Sequence, residues 1–246
     1  MSAVICIIAG IFVAILLNYL ADVLPVTGKF SRPMCHKCRH SFTAKEYLFS
    51  FHCPNCGAKP PPRYWIVMVC GIFGSLLLAI FPLKPLGFWI SLPMITFLAL
   101  VMIIDIEYRA VLLGTDIVGI ILSVFYGLLL HRPSVMILGG LAGAAIMTLF
   151  YFGGILFNKI FGKIQHQEIS EVALGLGDVF VCGYLGLIMG WPHIIAMIII
   201  AVFSAGVFSL GYILVKLIQK KYTAFSAIPY VPFLILAALA MFYLPG

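Results

Sequence analysis

Charged residues are scarce in this chain, and their scarcity excludes an ordinary soluble domain. Only 9% of the 246 residues are Asp, Glu, Lys or Arg, whereas 63% are hydrophobic and the mean hydropathy is +1.17. A soluble domain carries roughly 25% charged residues. Since this chain cannot cover itself with polar side chains, most of its surface must face lipid. We therefore expect an integral membrane protein.

Apolar runs long enough to cross a bilayer, about 20 residues each, recur along the whole sequence. No basic residue precedes the first run, which is therefore typical of a retained span and not of a cleaved signal peptide. We predict an all-α polytopic membrane protein with eight transmembrane helices. Their approximate bounds are Ala3–Leu20, Tyr64–Phe81, Leu86–Ile104, Val111–Leu130, Ser134–Phe157, Val172–Met189, His193–Leu217 and Ala227–Tyr243.

The basic residues are distributed unevenly between the two sides of this predicted topology. Of the 15 Lys and Arg residues, 13 fall on one side, and only Lys84 and Arg132 fall on the other. Cytoplasmic connections carry such an excess, so we expect the first side to be cytoplasmic. Topology and attraction to the anionic lipid bilayer then explain the net charge of +7. Nothing in the sequence favours nucleic-acid binding.

The one sizeable polar segment follows the first span and contains two Cys-x-x-Cys pairs. Cys35 and Cys38 are separated by 14 residues from Cys53 and Cys56. Two such pairs can surround zinc with four thiolates, and Gly57 suits the sharp turn of a metal-binding knuckle. We predict a small cytoplasmic zinc-ribbon-like insertion with a structural Zn²⁺. Two disulfides are disfavoured in a reducing compartment, and a redox motif would not need two copies.

Acidic residues are even rarer than basic ones, with eight in the whole chain. A carboxylate within hydrocarbon is costly, so an acid in a span is a functional hypothesis by default. Asp105 ends the third predicted span and Asp178 lies near the start of the sixth, both at the predicted cytoplasmic side. Two carboxyls that share one site can act as general base and general acid around one water molecule. Asp116 is a further acid within a span, and the alternative for it is an acid that starts a helix.

Two glycines precede the second of these acids, in the sequence Gly175-Leu176-Gly177-Asp178. Without side chains, they would let an extended substrate approach the carboxylate closely. Glycine is also common in membrane helices because it allows close packing, so the glycine pattern alone is weak evidence. It becomes specific because the motif lies at the same predicted membrane depth as a second acid on another span. We predict that Gly175 and Gly177 contribute to substrate binding.

Together these features resemble the type IV prepilin peptidases, a family of membrane aspartyl proteases with a Gly-x-Gly-Asp motif. The resemblance covers essentially the whole chain and implies that Asp105 and Asp178 are the catalytic pair. Glu107, in the first of the two motifs, is a further candidate for substrate binding. Beside the cysteines and the glycine motif, the sequences that carry the resemblance are Leu16-Leu17-Asn18-Tyr19, Arg63-Tyr64 and Asp105-Ile106-Glu107-Tyr108-Arg109.

The resemblance implies an aspartic endopeptidase of the bacterial cytoplasmic membrane, with its active site facing the cytoplasm. Its partners would be type IV prepilins or pseudopilins, whose short basic leader is cut after a glycine. Members of the family often also methylate the new N-terminus, so S-adenosylmethionine is a candidate cofactor. The implied organisation is a transmembrane helix over 1–20, a zinc-binding segment over 21–63 and a seven-helix catalytic domain over 64–246.

The chain departs from that family at two places. Val111-Leu112-Leu113-Gly114 lacks the proline that commonly follows the first motif, and Phe180 stands where a lysine is common. These departures leave the identity of the substrate open, and the sequence does not give the oligomeric state.

Two other functions compete with proteolysis. An ion-coupled secondary transporter would also carry acids within its spans, but it would favour acids near the bilayer midplane and repeated halves. A non-catalytic zinc-ribbon membrane scaffold would account for the cysteines but not for the acids within spans. Cleavage of a prepilin by variants that lack either acid separates the three hypotheses.

Overall fold

The computed structural model describes residues 2–49, 52–165, 175–220 and 229–244. These residues form helices and no strand, apart from an isolated bridge between Met34 and Ser41. The all-α prediction is therefore confirmed for this part of the chain. The helices are α1 (Ala3–Thr27), α2 (Ala44–Phe49), α3 (Pro62–Ile80), α4 (Gly87–Tyr108), α5 (Leu113–Leu130), α6 (Pro133–Gln165), α7 (Leu176–Met189), α8 (His193–Ile218) and α9 (Val231–Met241).

Six helices are long and apolar enough to cross a membrane, namely α1, α3, α4, α5, α8 and the Pro133–Leu156 part of α6. A multi-pass membrane protein is thus confirmed, but eight spans are not. α7 has 14 residues and α9 has 11. At 1.5 Å per residue these helices are about 21 Å and 17 Å long, against a hydrocarbon core of about 30 Å.

Both short helices begin later than the sequence predicts. Gly175 has the extended backbone of an N-cap (φ −87°, ψ 160°), so α7 begins at Leu176. α9 begins at Val231 and carries a proline at its second position. The predicted starts of these two spans, Val172 and Ala227, lie outside the described residues.

The chain divides into two compact units, Met1–Ile104 and Asp105–Gly246. In the first unit, α1 packs along α3. Their backbones approach closely, because a Cβ atom at Gly10 would lie 2.7 Å from the Gly71 carbonyl oxygen. Asn18 in α1 is fully buried and donates from Nδ2 to the carbonyl oxygen of Tyr64 at 3.4 Å. Small and polar residues therefore join these two helices.

In the second unit, α7 packs against α5, α6, α8 and α9. The α6–α7 contact is built from glycines, because a Cβ atom at Gly143 would lie 2.6 Å from the Cys182 carbonyl oxygen. A Cβ atom at Gly139 would meet the Gly186 carbonyl oxygen even more closely. Lipid tails are as apolar as leucine, so membrane helices associate through such close backbone packing.

The buried face of α5 is polar or small, and its exposed face is apolar. Ile117, Ile121 and Phe125 are about half exposed or more. This arrangement suits a helix whose outer face meets lipid and whose inner face meets protein. Asp116 belongs to the inner face. The buried residues of α5 are Thr115, Asp116, Gly119, Ser123, Tyr126 and Gly127.

Candidate active site

Asp105 lies in the last turn of α4, just before that helix ends at Tyr108. Its side chain is buried, with 6% exposed, and its Oδ2 accepts a hydrogen bond from the backbone N–H of Val231 at 3.3 Å. Val231 is the first residue of α9. The first N–H groups of a helix have no partner within the helix, so the carboxylate of Asp105 caps α9 and is oriented by it.

Asp178 is the third residue of α7, and its side chain is 8% exposed. Its Oδ2 accepts a hydrogen bond from the backbone N–H of Gly175 at 2.8 Å, and its own N–H donates to the Gly175 carbonyl oxygen at 3.1 Å. This is a reciprocal N-terminal cap, in which the carboxylate also faces the positive end of the helix dipole. The start of α7 thereby fixes the position of the second acid.

The two carboxylates belong to the same compact unit and are close enough for the charge of Asp105 to act on Asp178. In each of them Oδ2 accepts a hydrogen bond from a backbone N–H. Two tyrosines lie within electrostatic range of these acids, Tyr184 of Asp116 and Asp105, and Tyr230 of Asp178. The structure thus brings the two acids predicted from the sequence into one buried cluster.

Gly177, directly before Asp178, packs against the side chain of Val111. A Cβ atom at Gly177 would lie 2.5 Å from Cγ2 and 2.6 Å from Cβ of Val111. Protein therefore fills the space that the sequence suggests for a substrate at this glycine. At Gly175, by contrast, a Cβ atom would meet no atom of the described residues closer than 3.8 Å.

Glu107 lies on a different face of α4 from Asp105. Two residues correspond to a rotation of about 200° around a helix, and Glu107 is exposed where Asp105 is buried. The structure therefore does not bring Glu107 into the buried cluster. Its role in substrate binding stays a prediction.

Two neighbours of the acids were not identified from the sequence. The backbone N–H of Val231 holds Asp105 although 126 residues separate them in the chain. The signal that could have located it is Pro232, since proline favours the first turn of a helix. Asp116, which the sequence left open, is 6% exposed, and its Oδ1 is buried without a hydrogen-bond partner among the described residues. Tyr184 lies within electrostatic range of both Asp116 and Asp105.

The four cysteines of the polar segment form two knuckles of the same geometry. The N–H of Arg39 donates to the Cys35 carbonyl oxygen at 3.0 Å, and the N–H of Gly57 donates to the Cys53 carbonyl oxygen at 2.8 Å. Arg39 and Gly57 both have left-handed backbone, with φ of 56° and 67°. The sharp turn predicted at Gly57 is therefore present, and Arg39 makes the equivalent turn in the first knuckle.

The sulfur atoms of these cysteines are arranged as a tetrahedral metal site requires. All four Sγ atoms lie within 4.8 Å of one another, with Cys35 to Cys56 at 3.7 Å and Cys38 to Cys53 at 3.6 Å. Tetrahedral zinc with Zn–S bonds of about 2.3 Å needs sulfur separations of roughly 3.8 Å. The backbone N–H groups of Cys38 and Lys37 lower the pKa of the Cys35 thiol, which favours the thiolate that binds metal. The cluster is compatible with structural zinc.

A buried ion pair ties this segment to the first two long helices. Asp22, near the end of α1, accepts from Nη2 of Arg63 at the start of α3, and from the Tyr47 hydroxyl of α2 at 2.7 Å. The side chains of Asp22 and Arg63 are only 12% and 11% exposed. Burial, and then the neighbouring Asp22 carboxylate, raise the pKa of Tyr47 far above its ordinary value, so its hydroxyl stays a donor.

Residues 92–210 match the model of the type IV leader peptidase family. Over this segment the chain is similar to the type IV leader peptidases. The resemblance drawn from the sequence motifs is therefore confirmed. The matched segment includes both acids and the helices α5 to α7 that surround them. Comparisons with curated proteins and with solved structures gave no match.

The leader peptidase segment and the cysteine cluster are separate parts of the chain, since the last cysteine of the cluster is Cys56 and the match begins at residue 92. The family match therefore falls on the membrane helices and not on the cysteine cluster. A closed site of four cysteines has no open position for a reacting group. The acids of the leader peptidase segment are the groups suited to hydrolysis.

Proposed function

We propose that this protein is a membrane aspartyl endopeptidase that removes the short basic leader of type IV prepilins or pseudopilins. Asp105 and Asp178 are its catalytic pair. The observation that carries the proposal is the burial of these two carboxylates in one cluster, each held by a backbone N–H, within the segment that matches the leader peptidase family. Buried acids are rare in membrane helices and mark functional sites.

The reaction divides its proton transfers between the two carboxyls. Like charges in one buried site cannot both ionise easily, so the pair holds one proton. The ionised carboxylate takes a proton from a water molecule as that water attacks the scissile carbonyl carbon. The protonated carboxyl donates to the carbonyl oxygen, and the tetrahedral intermediate then expels the amine with a proton returned from the pair. The titration belongs to the pair and not to either residue alone.

The backbone hydrogen bonds to the two acids would orient this chemistry. Oδ2 of each acid accepts from a backbone N–H at the start of a helix, α9 for Asp105 and α7 for Asp178. The two Oδ1 atoms are then the groups that meet the water and the substrate. Since neither carboxylate has to be reoriented during the reaction, the site is organised before the substrate arrives.

The proposed site faces the cytoplasm of a bacterial inner membrane. The predicted topology places 13 of the 15 basic residues on the side of Asp105 and Asp178, which supports that orientation. The leader would meet the pair at this side while the apolar helix of the pilin stays in lipid. Gly175, where a Cβ atom would meet no atom of the described part of the chain closer than 3.8 Å, is the proposed point of approach for the substrate backbone.

The other activities considered from the sequence receive less support. A secondary transporter does not account for the family match, and a zinc scaffold does not account for the buried acids. Methylation of the new N-terminus with S-adenosylmethionine follows from the resemblance alone. The proposed activity is therefore proteolysis, and the proposed role of the zinc is to fold the segment that holds it.

Cleavage of a prepilin in membranes by Asp105→Asn and Asp178→Asn variants tests this function. Asparagine keeps an oxygen to accept from Val231 or Gly175 but cannot exchange a proton with water, so both variants should fold and lose cleavage. Electrostatic and acid–base contributions of this kind are worth about 10²–10⁴-fold in rate. Loss of less than about tenfold in both variants would overturn the proposal.

Two further measurements make the result specific. Asp22→Asn removes an acid that lies at the same predicted side but outside the matched segment, and it should leave the chemical step intact. Mass spectrometry of the product should place the cut between the basic leader and the apolar helix, and it would reveal any added methyl group.

A further inference from the structure

A groove of about 680 Å³ runs along α1 and the polar segment that follows it. On α1 it is lined by residues at helical spacing, namely Phe12, Ile15, Leu16 and Tyr19. The opposite wall comes from the chain after α1 and from α2. The groove therefore begins on the apolar surface of a membrane span and ends on a segment that carries charged residues. Its remaining lining residues are Phe30, Ser31, Arg32, Pro33, Phe42, Thr43, Ala44, Tyr47 and Leu48.

The walls of this groove are fixed by hydrogen bonds. The Tyr19 hydroxyl donates to the Ser31 carbonyl oxygen at 3.0 Å, which joins α1 to the chain that follows it. The Tyr47 hydroxyl donates to Asp22 at 2.7 Å, which joins α2 to α1. The two tyrosine rings meet edge to face, with centroids 6.3 Å apart. A groove held in this way exists before a ligand arrives and loses little conformational freedom on binding.

The apolar part of the groove reaches beyond the membrane span. Phe30, which lies past the end of α1, is 79% exposed, and Leu48 of α2 is 42% exposed. A large aromatic side chain left in water costs free energy that an apolar ligand would recover. The occupant must therefore be apolar at the α1 end and still in contact with the polar segment at the other end.

The positive charge of Arg32 indicates which chemical group the polar end of the ligand carries. Arg32 is exposed on the groove, and no carboxylate of the described residues forms an ion pair with it. The acids near the groove are already engaged, Asp22 by Arg63 and Tyr47, and Glu46 by the backbone N–H of Thr43. A guanidinium group binds phosphate oxygens in a bidentate geometry. The groove therefore favours an anion at its polar end and disfavours a basic peptide.

We propose that this groove binds an anionic phospholipid, with an acyl chain along Phe12, Ile15, Leu16 and Tyr19 and the phosphate at Arg32. One molecule then satisfies both ends, since it is apolar over the length of α1 and negative where the apolar surface ends. The bound lipid also covers Phe30 and fixes the cysteine segment at the membrane surface. The proposal is independent of the proteolytic function, because none of its residues belongs to the leader peptidase segment.

Native mass spectrometry of the purified full chain, titrated with phosphatidylglycerol or phosphatidylcholine, tests the site. One phosphatidylglycerol should be retained in preference to phosphatidylcholine. Arg32→Ala should weaken phosphatidylglycerol binding roughly fivefold, the effect of one basic residue near an anionic headgroup, and remove the preference. Arg32→Lys should keep part of the preference for phosphatidylglycerol. Lys59→Ala, which removes an exposed basic residue of the same polar segment outside the groove, is the matched control and should bind as the unchanged protein does.

The apolar half of the site has its own test. Leu16→Ala removes part of the apolar wall along the acyl chain and should weaken the binding of both lipids. Phe73 is an exposed residue of α3 outside the groove, so Phe73→Ala should weaken the binding of neither lipid. Equal binding of phosphatidylglycerol to Arg32→Ala and to the unchanged protein overturns the proposal. So does competition by inorganic phosphate at the affinity of the lipid, which would indicate a headgroup site without an acyl chain. Displacement of the lipid by a basic leader peptide would overturn it in favour of a peptide groove.

Discussion

Val111 occupies the space that Gly177 leaves beside its backbone, since a Cβ atom at Gly177 would lie 2.5 Å from Cγ2 of Val111. Gly177 immediately precedes Asp178. Val111 lies in the turn between α4, which carries Asp105, and α5. The contact therefore joins the two parts of the chain that hold the proposed catalytic acids. A larger or smaller side chain at Gly177 or Val111 should therefore change the distance between the carboxylates of Asp105 and Asp178.

Gly177→Ala is expected to reduce prepilin cleavage because its methyl group must displace Val111. Overpacking of this kind costs about 1–3 kcal/mol of stability, and a displacement of about 1 Å near reacting groups can cost 10²-fold in rate. We expect kcat to fall by roughly tenfold to a hundredfold with little change in KM. Adding Val111→Gly should restore a large part of the rate, since it removes both carbon atoms of Val111, Cγ2 and Cβ, that would collide with the new methyl group.

The control for this pair is Gly153→Ala. Gly153 lies within α6, where a Cβ atom would meet no atom of the described residues within 4 Å, so alanine should leave cleavage unchanged. A Gly177→Ala protein that cleaves normally would show that the contact does not position the acids. Failure of Val111→Gly to rescue the loss would assign Gly177 to another role, such as contact with the substrate.

Gly143→Ala is expected to destabilise the protein by separating α6 from α7. Its Cβ atom would lie 2.6 Å from the Cys182 carbonyl oxygen, which belongs to backbone and cannot move aside alone. We expect a loss of about 1–3 kcal/mol, measured as a lower midpoint of thermal unfolding in detergent. Gly154→Ala in the same helix meets nothing within 4 Å and should stabilise it slightly, because alanine is the better helix former. Equal midpoints for the two variants would contradict the close packing described above.

The purified protein is expected to contain about one zinc ion per chain. Cys35→Ser should remove it, because serine does not supply the thiolate of a four-cysteine site. Metal content by atomic emission and limited proteolysis of the polar segment are the measurements, and loss of zinc should expose this segment to the protease. The finding of no zinc in the unchanged protein would contradict the assignment of the cluster.

Cys70→Ser is the matched control for the metal measurement. Cys70 is an exposed thiol of α3 that does not belong to the cluster. Its replacement should leave both the zinc content and the protease resistance of the polar segment unchanged.

Features that depend on residues near one another in sequence were predictable. The spacing of Cys35, Cys38, Cys53 and Cys56 determines two local turns, and the structure brings their sulfur atoms together. Long apolar runs likewise located the helices, because a chain in lipid must satisfy its backbone hydrogen bonds within each span. Acids are so scarce in this chain that Asp105 and Asp178 stand out within its apolar runs.

Features that depend on distant contacts were not predictable from one sequence. Asp105 is held by Val231, and the pattern around either residue does not indicate the other. Gly177 was expected to leave room for a substrate, yet its space is filled by Val111 from the preceding loop region. Which residues a glycine contacts depends on how its helix is rotated about its axis and packed against its neighbours. The hydropathy of the sequence does not specify that rotation.

The lengths of α7 and α9 have a consequence for the bilayer around them. At about 21 Å and 17 Å, these helices are roughly 10 Å shorter than the hydrocarbon thickness, and their first turns carry Asp178 and the partner of Asp105. Such hydrophobic mismatch thins the membrane locally or admits water to the helix ends. Hydrolysis consumes water. Because these helices are too short to cross the membrane, water could reach their ends and serve as the second substrate of the proposed reaction.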